Sequence, residues 1–266
     1  MRQMAAPSGR PPRSGQAAKG RNKTAPPPRP VPVVRPRSYA AIDLGTNNCR
    51  LLIARPQEGE LVVIDAFSRI VRLGEGLHST GRISEAAMDR TVAALAICAD
   101  KLRRRHVTLS RAVATEACRR AANGVELADR VRRETGIVLD IISAAEEARL
   151  AALGCHNLME PGDGPALIFD IGGGSTELMH VDISDHDVAI RDWISVPWGV
   201  VSLTEHAPPS EDNLSARQAS YAHMRAVTRE AFAGFAERVK CYEGQPLRLL
   251  GTSGTVKTIA SVFLAL

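Results

Sequence analysis

The chain has 266 residues, 44% of them hydrophobic, enough to bury a sizeable core in one or two domains. Its net charge of +5 does not describe a basic nucleic-acid-binding body: residues 1–37 hold nine Lys/Arg, no Asp or Glu and nine of the sixteen prolines, so this arm carries +9 and the rest −4. No run of about 18 apolar residues offers a membrane span and no short apolar core offers a secretory signal, so a cytoplasmic location is expected, with no membrane and no specific nucleic acid as partner.

Residues 1–37 read as a disordered basic arm, because few large apolar side chains are available to offset the entropy of ordering. A first domain is expected over 38–160. An apolar run over 39–44 contains Asp43, the turn Gly45-Thr46-Asn47-Asn48 follows, and a second apolar run covers 49–54, which together predict a β-hairpin. A third strand is expected over 61–67. Ser84 suits the N-cap of a helix reaching Arg105, and then come a strand over 111–115, a helix over 127–134, a strand over 137–142 and a helix over 144–158. A β-meander followed by βαβα is one α/β domain.

Pro161-Gly162-Asp163-Gly164-Pro165 marks a boundary, with a second domain over 161–266. The segment 166–181 repeats the plan of 41–54: Asp43 and Gly45 recur as Asp170 and Gly172, each 127 residues later. A strand over 188–196 matches 61–67. A helix over 214–239, a strand over 247–250 and the turn Gly251-Thr252-Ser253-Gly254-Thr255 lead into a last helix. A duplicated hairpin opening each half predicts two homologous α/β domains facing across a cleft, the second incomplete at its C-terminal end.

Glycine-rich turns offer backbone N–H groups without Cβ obstruction, which suits phosphate oxygens. Two facing turns could grip adjacent phosphates, with Asp43 and Asp170 beside them to hold Mg²⁺ directly or through water. A single such hairpin would more readily be structural, its Asp capping the turn; two copies plus the 251–255 turn favour the phosphate reading. The five cysteines lack CxxC spacing and fit reduced thiols, and the seven histidines show no zinc-binding spacing. Trp198 fits core packing.

The segments 40–54 (AAIDLGTNNCRLLIA), 114–119 (ATEACR), 143–150 (SAAEEARL), 169–178 (FDIGGGSTEL) and 251–258 (GTSGTVKT), in this order, resemble the exopolyphosphatase/guanosine pentaphosphate phosphohydrolase family. The resemblance runs from Tyr39 to about Val262 and implies two actin-like, ribonuclease H-like domains. It implies Mg²⁺-dependent (or Mn²⁺-dependent) hydrolysis of terminal phosphoanhydrides, with polyphosphate first and guanosine pentaphosphate second as substrate, and a homodimer as an option. It places Glu147 as general base, Glu177 and Asp170 as carboxylates around metal and attacking water, and Arg119 as a phosphate-facing guanidinium. Asp43 joins the metal carboxylates. Gly45, Thr46 and Asn47, Gly172 to Ser175 by way of Gly173 and Gly174, and Ser253 and Gly254 are the expected phosphate cradle. Taken alone, Glu147 would read as an ordinary helix-surface Glu beside Glu146 and Arg119 as a solvated helix Arg. Members of the family continue past the final helix seen here. The rival readings are an ATP-dependent kinase or ATPase of the same superfamily and, in another class, an inactive regulator that binds polyphosphate or an alarmone.

Overall fold

A computed structural model describes residues 37–155, 158, 164–184, 187–210, 212–240 and 247–265; the basic arm, most of the Pro161–Pro165 boundary and Cys241 lie outside the described residues. Strands β1 (Tyr39–Leu44), β2 (Asn48–Gln57) and β3 (Glu60–Ile70) form an antiparallel meander. Parallel strands β4 (Leu109–Ala114) and β5 (Leu139–Ile141) extend it in the order β3-β2-β1-β4-β5. Alternation sets the faces: Cys49, Leu51 and Ile53 are buried while Arg50 and Leu52 point outward.

Against the buried face lies α2 (Glu85–Arg104), whose first turn is capped by Ser84 Oγ accepting from the Ala87 amide at 3.3 Å. Met88, Thr91, Leu95 and Ala99 recur at helical spacing and are buried. Beside it, α4 (Gly124–Thr135) adds Leu127 and Val131 and stops at Gly136, whose φ of 77° only glycine adopts without strain. Truncating one of these fully buried leucines to alanine costs about 2–5 kcal/mol.

The second sheet repeats the plan. Strands β6 (Gly164–Ile171), β7 (Thr176–Ser184) and β8 (Asp187–Val196) are antiparallel neighbours, and β9 (Arg248–Thr252) runs parallel to β6, in the order β8-β7-β6-β9. Helix α5 (Ala144–Cys155) crosses from the first half to pack Ala148, Ala152 and Cys155 into a core with Ile168 and Met179. The duplication reaches irregular detail. A bulge falls between Ile53 and Ala54 in the first sheet and between His180 and Val181 in the second, again 127 residues apart.

Five further helices complete the described elements: α1 (Leu77–Thr80), α3 (Glu116–Arg120), α6 (Val200–His206), α7 (Leu214–Val239) and, after β9, α8 (Ser253–Leu264). The short helices α1, α3 and α6 were not among the expected elements, since four to seven residues are too few to display a helical period. Expected strand 137–142 shrinks to three residues, and α4 begins at Gly124, three positions before the expected start. Cys49, Cys98, Cys118 and Cys155 are buried free thiols; burial pushes the Cys118 thiol up to about 12. Among the described residues, no helix is long and apolar enough to cross a membrane.

Candidate active site

The β1–β2 turn closes with the Gly45 amide donating to the Asn48 carbonyl at 2.9 Å. In the β6–β7 turn Gly172 donates to Ser175 at 3.0 Å, the same bond at the same offset of 127 residues. Each turn is then tied from behind. The Thr46 carbonyl accepts from the Gly74 amide at 2.9 Å, and the Gly173 carbonyl accepts from the Val201 amide at 2.8 Å, again 127 positions on. Asn47 O takes the Val71 and Arg72 amides, Gly172 O takes the Val200 amide, and Gly174 O takes Ser202 Oγ. With their carbonyls held back, the amides of Thr46, Asn47, Gly173, Gly174 and Ser175 have no protein acceptor among the described residues. They are donors available to an anion.

The two turns touch. A Cβ on Gly173 would stand 3.2 Å from Thr46 Cβ, and one on Gly174 would stand 2.5 Å from Thr46 Oγ1. Glycine is required there by the approach of one half to the other, not by backbone angle. Between the halves opens a cavity of about 420 Å³, within the usual range for small-molecule sites. Both turns, Asp43, Asp170, Glu147 and the start of α8 line it. Ser253, the first residue of α8, has φ 92°, a left-handed value that strains a residue with a Cβ, and its Oγ is buried without a partner among the described residues. Among the described residues no side chain caps this helix, so its first amides are further donors at a positive helix end.

Carboxylates stand beside these amide donors. Asp43 and Asp170 are both held above the ordinary carboxylate range, chiefly by burial; each is offset by Arg50, and Asp43 is raised further by Asp170. Glu147 is pushed up to about 7 by burial and by Glu177, with Arg119 opposing and Asp43 adding. Its neighbour Glu146 points elsewhere, bonded by Arg149 at 2.7 and 3.0 Å and by Arg111 at 3.1 Å, which hold it down at about 2.

The sequence profile of the Ppx/GppA phosphatase family matches residues 52–264. The chain belongs to this family. Exopolyphosphatase 2 of Mycobacterium tuberculosis is 34% identical over 240 residues, covering 84% of this chain and 70% of that protein. The crystal structure of an exopolyphosphatase from Cytophaga hutchinsonii superposes with a TM-score of 0.77 at 27% identity, covering 86% of this chain and 70% of that one. The Aquifex aeolicus Ppx/GppA enzyme superposes with a TM-score of 0.67 at 31% identity, covering 86% and 72%. The two halves are accordingly actin-like α/β domains facing across a cleft.

Of the residues singled out from sequence, Asp43, Gly45, Thr46, Asn47, Glu147, Asp170, Gly172, Gly173, Gly174, Ser175, Ser253 and Gly254 line the one cavity. Two do not. Glu177 is 2% exposed and stands beside Asp170, its register partner, with Ser195 Oγ donating to its Oε1 at 2.7 Å. Its charge still reaches the site, since it acts on Glu147. Arg119, expected to fork onto phosphate, instead gives its guanidinium to Glu147, Glu116 and the Ile142 carbonyl. The carboxylates on either side outcompete open space for those donors. Trp198 is half-buried and packs on His206 with ring centroids 4.7 Å apart, in line with a packing role.

Arg50 was missed. It lines the cavity, lies 3.9 Å from Asp43 and occupies the place that Glu177 takes in the second repeat, since Asp43 pairs with Arg50 as Asp170 pairs with Glu177. The signal was present in the alternation of β2, which puts Arg50 opposite Asp43 on the same sheet face.

Proposed function

We propose that the chain hydrolyses terminal phosphoanhydride bonds, releasing orthophosphate from the end of inorganic polyphosphate. The carrying observation is Glu147: a carboxylate held near neutrality at about 7, lining the same cavity as two turns of free backbone amides. Such a group takes a proton well at neutral pH. The amides of both turns and of the α8 start bind the terminal and penultimate phosphates. Glu147 accepts a proton from a water molecule as the water oxygen bonds to the terminal phosphorus. The bridging P–O bond breaks, and its electron pair leaves on the shortened chain.

The family implies Mg²⁺ or Mn²⁺, and the donor set fits such an ion. Asp170 lies close enough to Asp43 for its charge to raise the Asp43 carboxyl, and both are hard oxygen donors at the cavity wall. Among the described residues no cluster of three or more ligating side chains exists, which suits an ion held by two carboxylates, water and substrate oxygens rather than a closed protein cage. When bound, it neutralises phosphate oxygens that would repel the incoming water. Glu177, held by Ser195 Oγ, adds a further negative charge beside Asp170.

Guanosine pentaphosphate is the second substrate, because the phosphate grip serves any chain of phosphates. The test is orthophosphate release by the full chain from polyphosphate, guanosine pentaphosphate and ATP, with Mg²⁺ and with excess chelator. Release from polyphosphate that stops in chelator is expected. Ligand-induced thermal stabilisation without release in any arm would assign a binding regulator instead.

A further inference from the structure

Glu116 stood outside the expected catalytic set, yet it is built into the site. It opens α3 directly after the cavity-lining Thr115, and its side chain is only 12% exposed. Its Oε2 accepts from Arg119 Nη2, and its Oε1 lies 3.8 Å from Arg120 Nε. The other bonds of Arg119 are asymmetric. Nη1 donates to the Ile142 carbonyl at 2.8 Å and to Glu147 Oε2 at 3.1 Å, and Nη2 donates to that same Oε2 at 3.2 Å. Glu147 Oε1 has no protein donor among the described residues.

A guanidinium facing a lone carboxylate prefers the parallel fork, one N–H to each oxygen. That arrangement would occupy both Glu147 oxygens and stabilise its charged form, which a general base cannot tolerate. We propose that Glu116 is a positioning residue, holding Arg119 so that the guanidinium grips one oxygen of Glu147 and leaves the other to the cavity. Glu116 is itself fixed by the facing domain: a Cβ on Gly174 would come within 3.2 Å of Glu116 Cγ, so the phosphate turn walls in the carboxylate arm. The chain of contact runs from the Gly174 turn through Glu116 and Arg119 to Glu147. The inference rests on the assignment of Glu147 as base.

The charged groups acting on Glu147 are Arg119 from α3, Glu177 from β7 and Asp43 from β1, with Glu116 acting through Arg119. Removing the Glu116 charge leaves Arg119 to Glu147 alone, which favours the carboxylate. In the full chain with ¹³C-carboxyl-labelled glutamate, the Glu147 resonance is identified by its loss in Glu147→Gln and titrated in wild type, Glu116→Gln and Glu116→Asp. Glu116→Gln moves the Glu147 midpoint down by about one pH unit, and Glu116→Asp, one methylene shorter, moves it part of the way. The acid limb of kcat on polyphosphate moves in the same direction, with kcat about tenfold lower and KM within about twofold. A general packing defect would lower kcat at every pH without moving the limb. A wild-type midpoint in whichever of the two variants folds overturns the proposal. If wild type releases no phosphate, the hydrolase reading fails while the NMR midpoints still decide whether Glu116 controls Glu147.

Discussion

At the scale of residues, two adjacent glutamates are driven to opposite ends of the carboxylate range. Glu146, on the solvent side, is held at about 2 by Arg149 and Arg111, whereas Glu147, one step or about 100° around α5, is held at about 7 by burial. The sign for stability follows. A carboxyl whose folded value is raised binds its proton more tightly when folded, so the native state loses stability as pH climbs from the ordinary range near 4.5 through 7. Glu147→Gln removes that dependence. Its melting temperature, relative to wild type, should therefore rise between pH 5 and pH 8; a constant difference across that window would show that Glu147 is not titrating there. Composition alone does not separate the two glutamates. The helix period says only that they face differently, and the choice of Glu147 came from resemblance; the arginines that occupy Glu146 come from α5 itself and from β4, 35 residues earlier.

At the scale of elements, the site is two turns pressed together and held from behind. Gly174→Ala would drive a methyl toward Thr46 Oγ1 and Glu116, an overpacking that costs about 1–3 kcal/mol. Its melting temperature should fall and phosphate affinity with it, as measured by thermal unfolding with and without polyphosphate. An alanine variant as stable as wild type and equally tight in binding would mean that the turns are not locked. These turns were legible because glycine, polar turn residues and flanking apolar runs are local signals. What ties them back was not. The amides of Val71, Arg72 and Gly74 and of Val200, Val201 and Ser202 reach the turn carbonyls across 24 to 29 residues, and α3 and α6 are too short to announce themselves. The ion pair of Arg119 was hidden for a related reason: its partner Glu147 lies 28 residues away, and only folding brings them together.

At the scale of the whole molecule, one offset of 127 residues organises the chain, from the Asp43/Asp170 pair through the turn bonds to the matching bulges. That repeat was readable because it recurs at a fixed spacing. The packing of α5 onto the second sheet was not, since a helix with a small-residue face carries no mark of which sheet it covers. The arm lies outside this organisation, with its +9 in residues 1–37 against a body of −4. Deleting it should leave the melting temperature of the body unchanged and weaken polyphosphate binding at low ionic strength, an effect that fades as salt screens the charge. Equal affinity of the two forms at low salt would remove the arm from substrate capture.

The most direct measurement of the whole account is the paired substitution Glu147→Gln and Glu146→Gln, assayed for turnover of polyphosphate and for polyphosphate binding in Mg²⁺. Glu147→Gln keeps size and removes proton acceptance, so turnover should fall by roughly 10²–10⁴-fold while binding, made by backbone amides, survives. Glu146→Gln should retain turnover, because its partners Arg111 and Arg149 lie outside the cavity. A silent Glu147→Gln beside a dead Glu146→Gln would contradict the assignment of the base, and equal turnover in both variants would contradict base catalysis from α5.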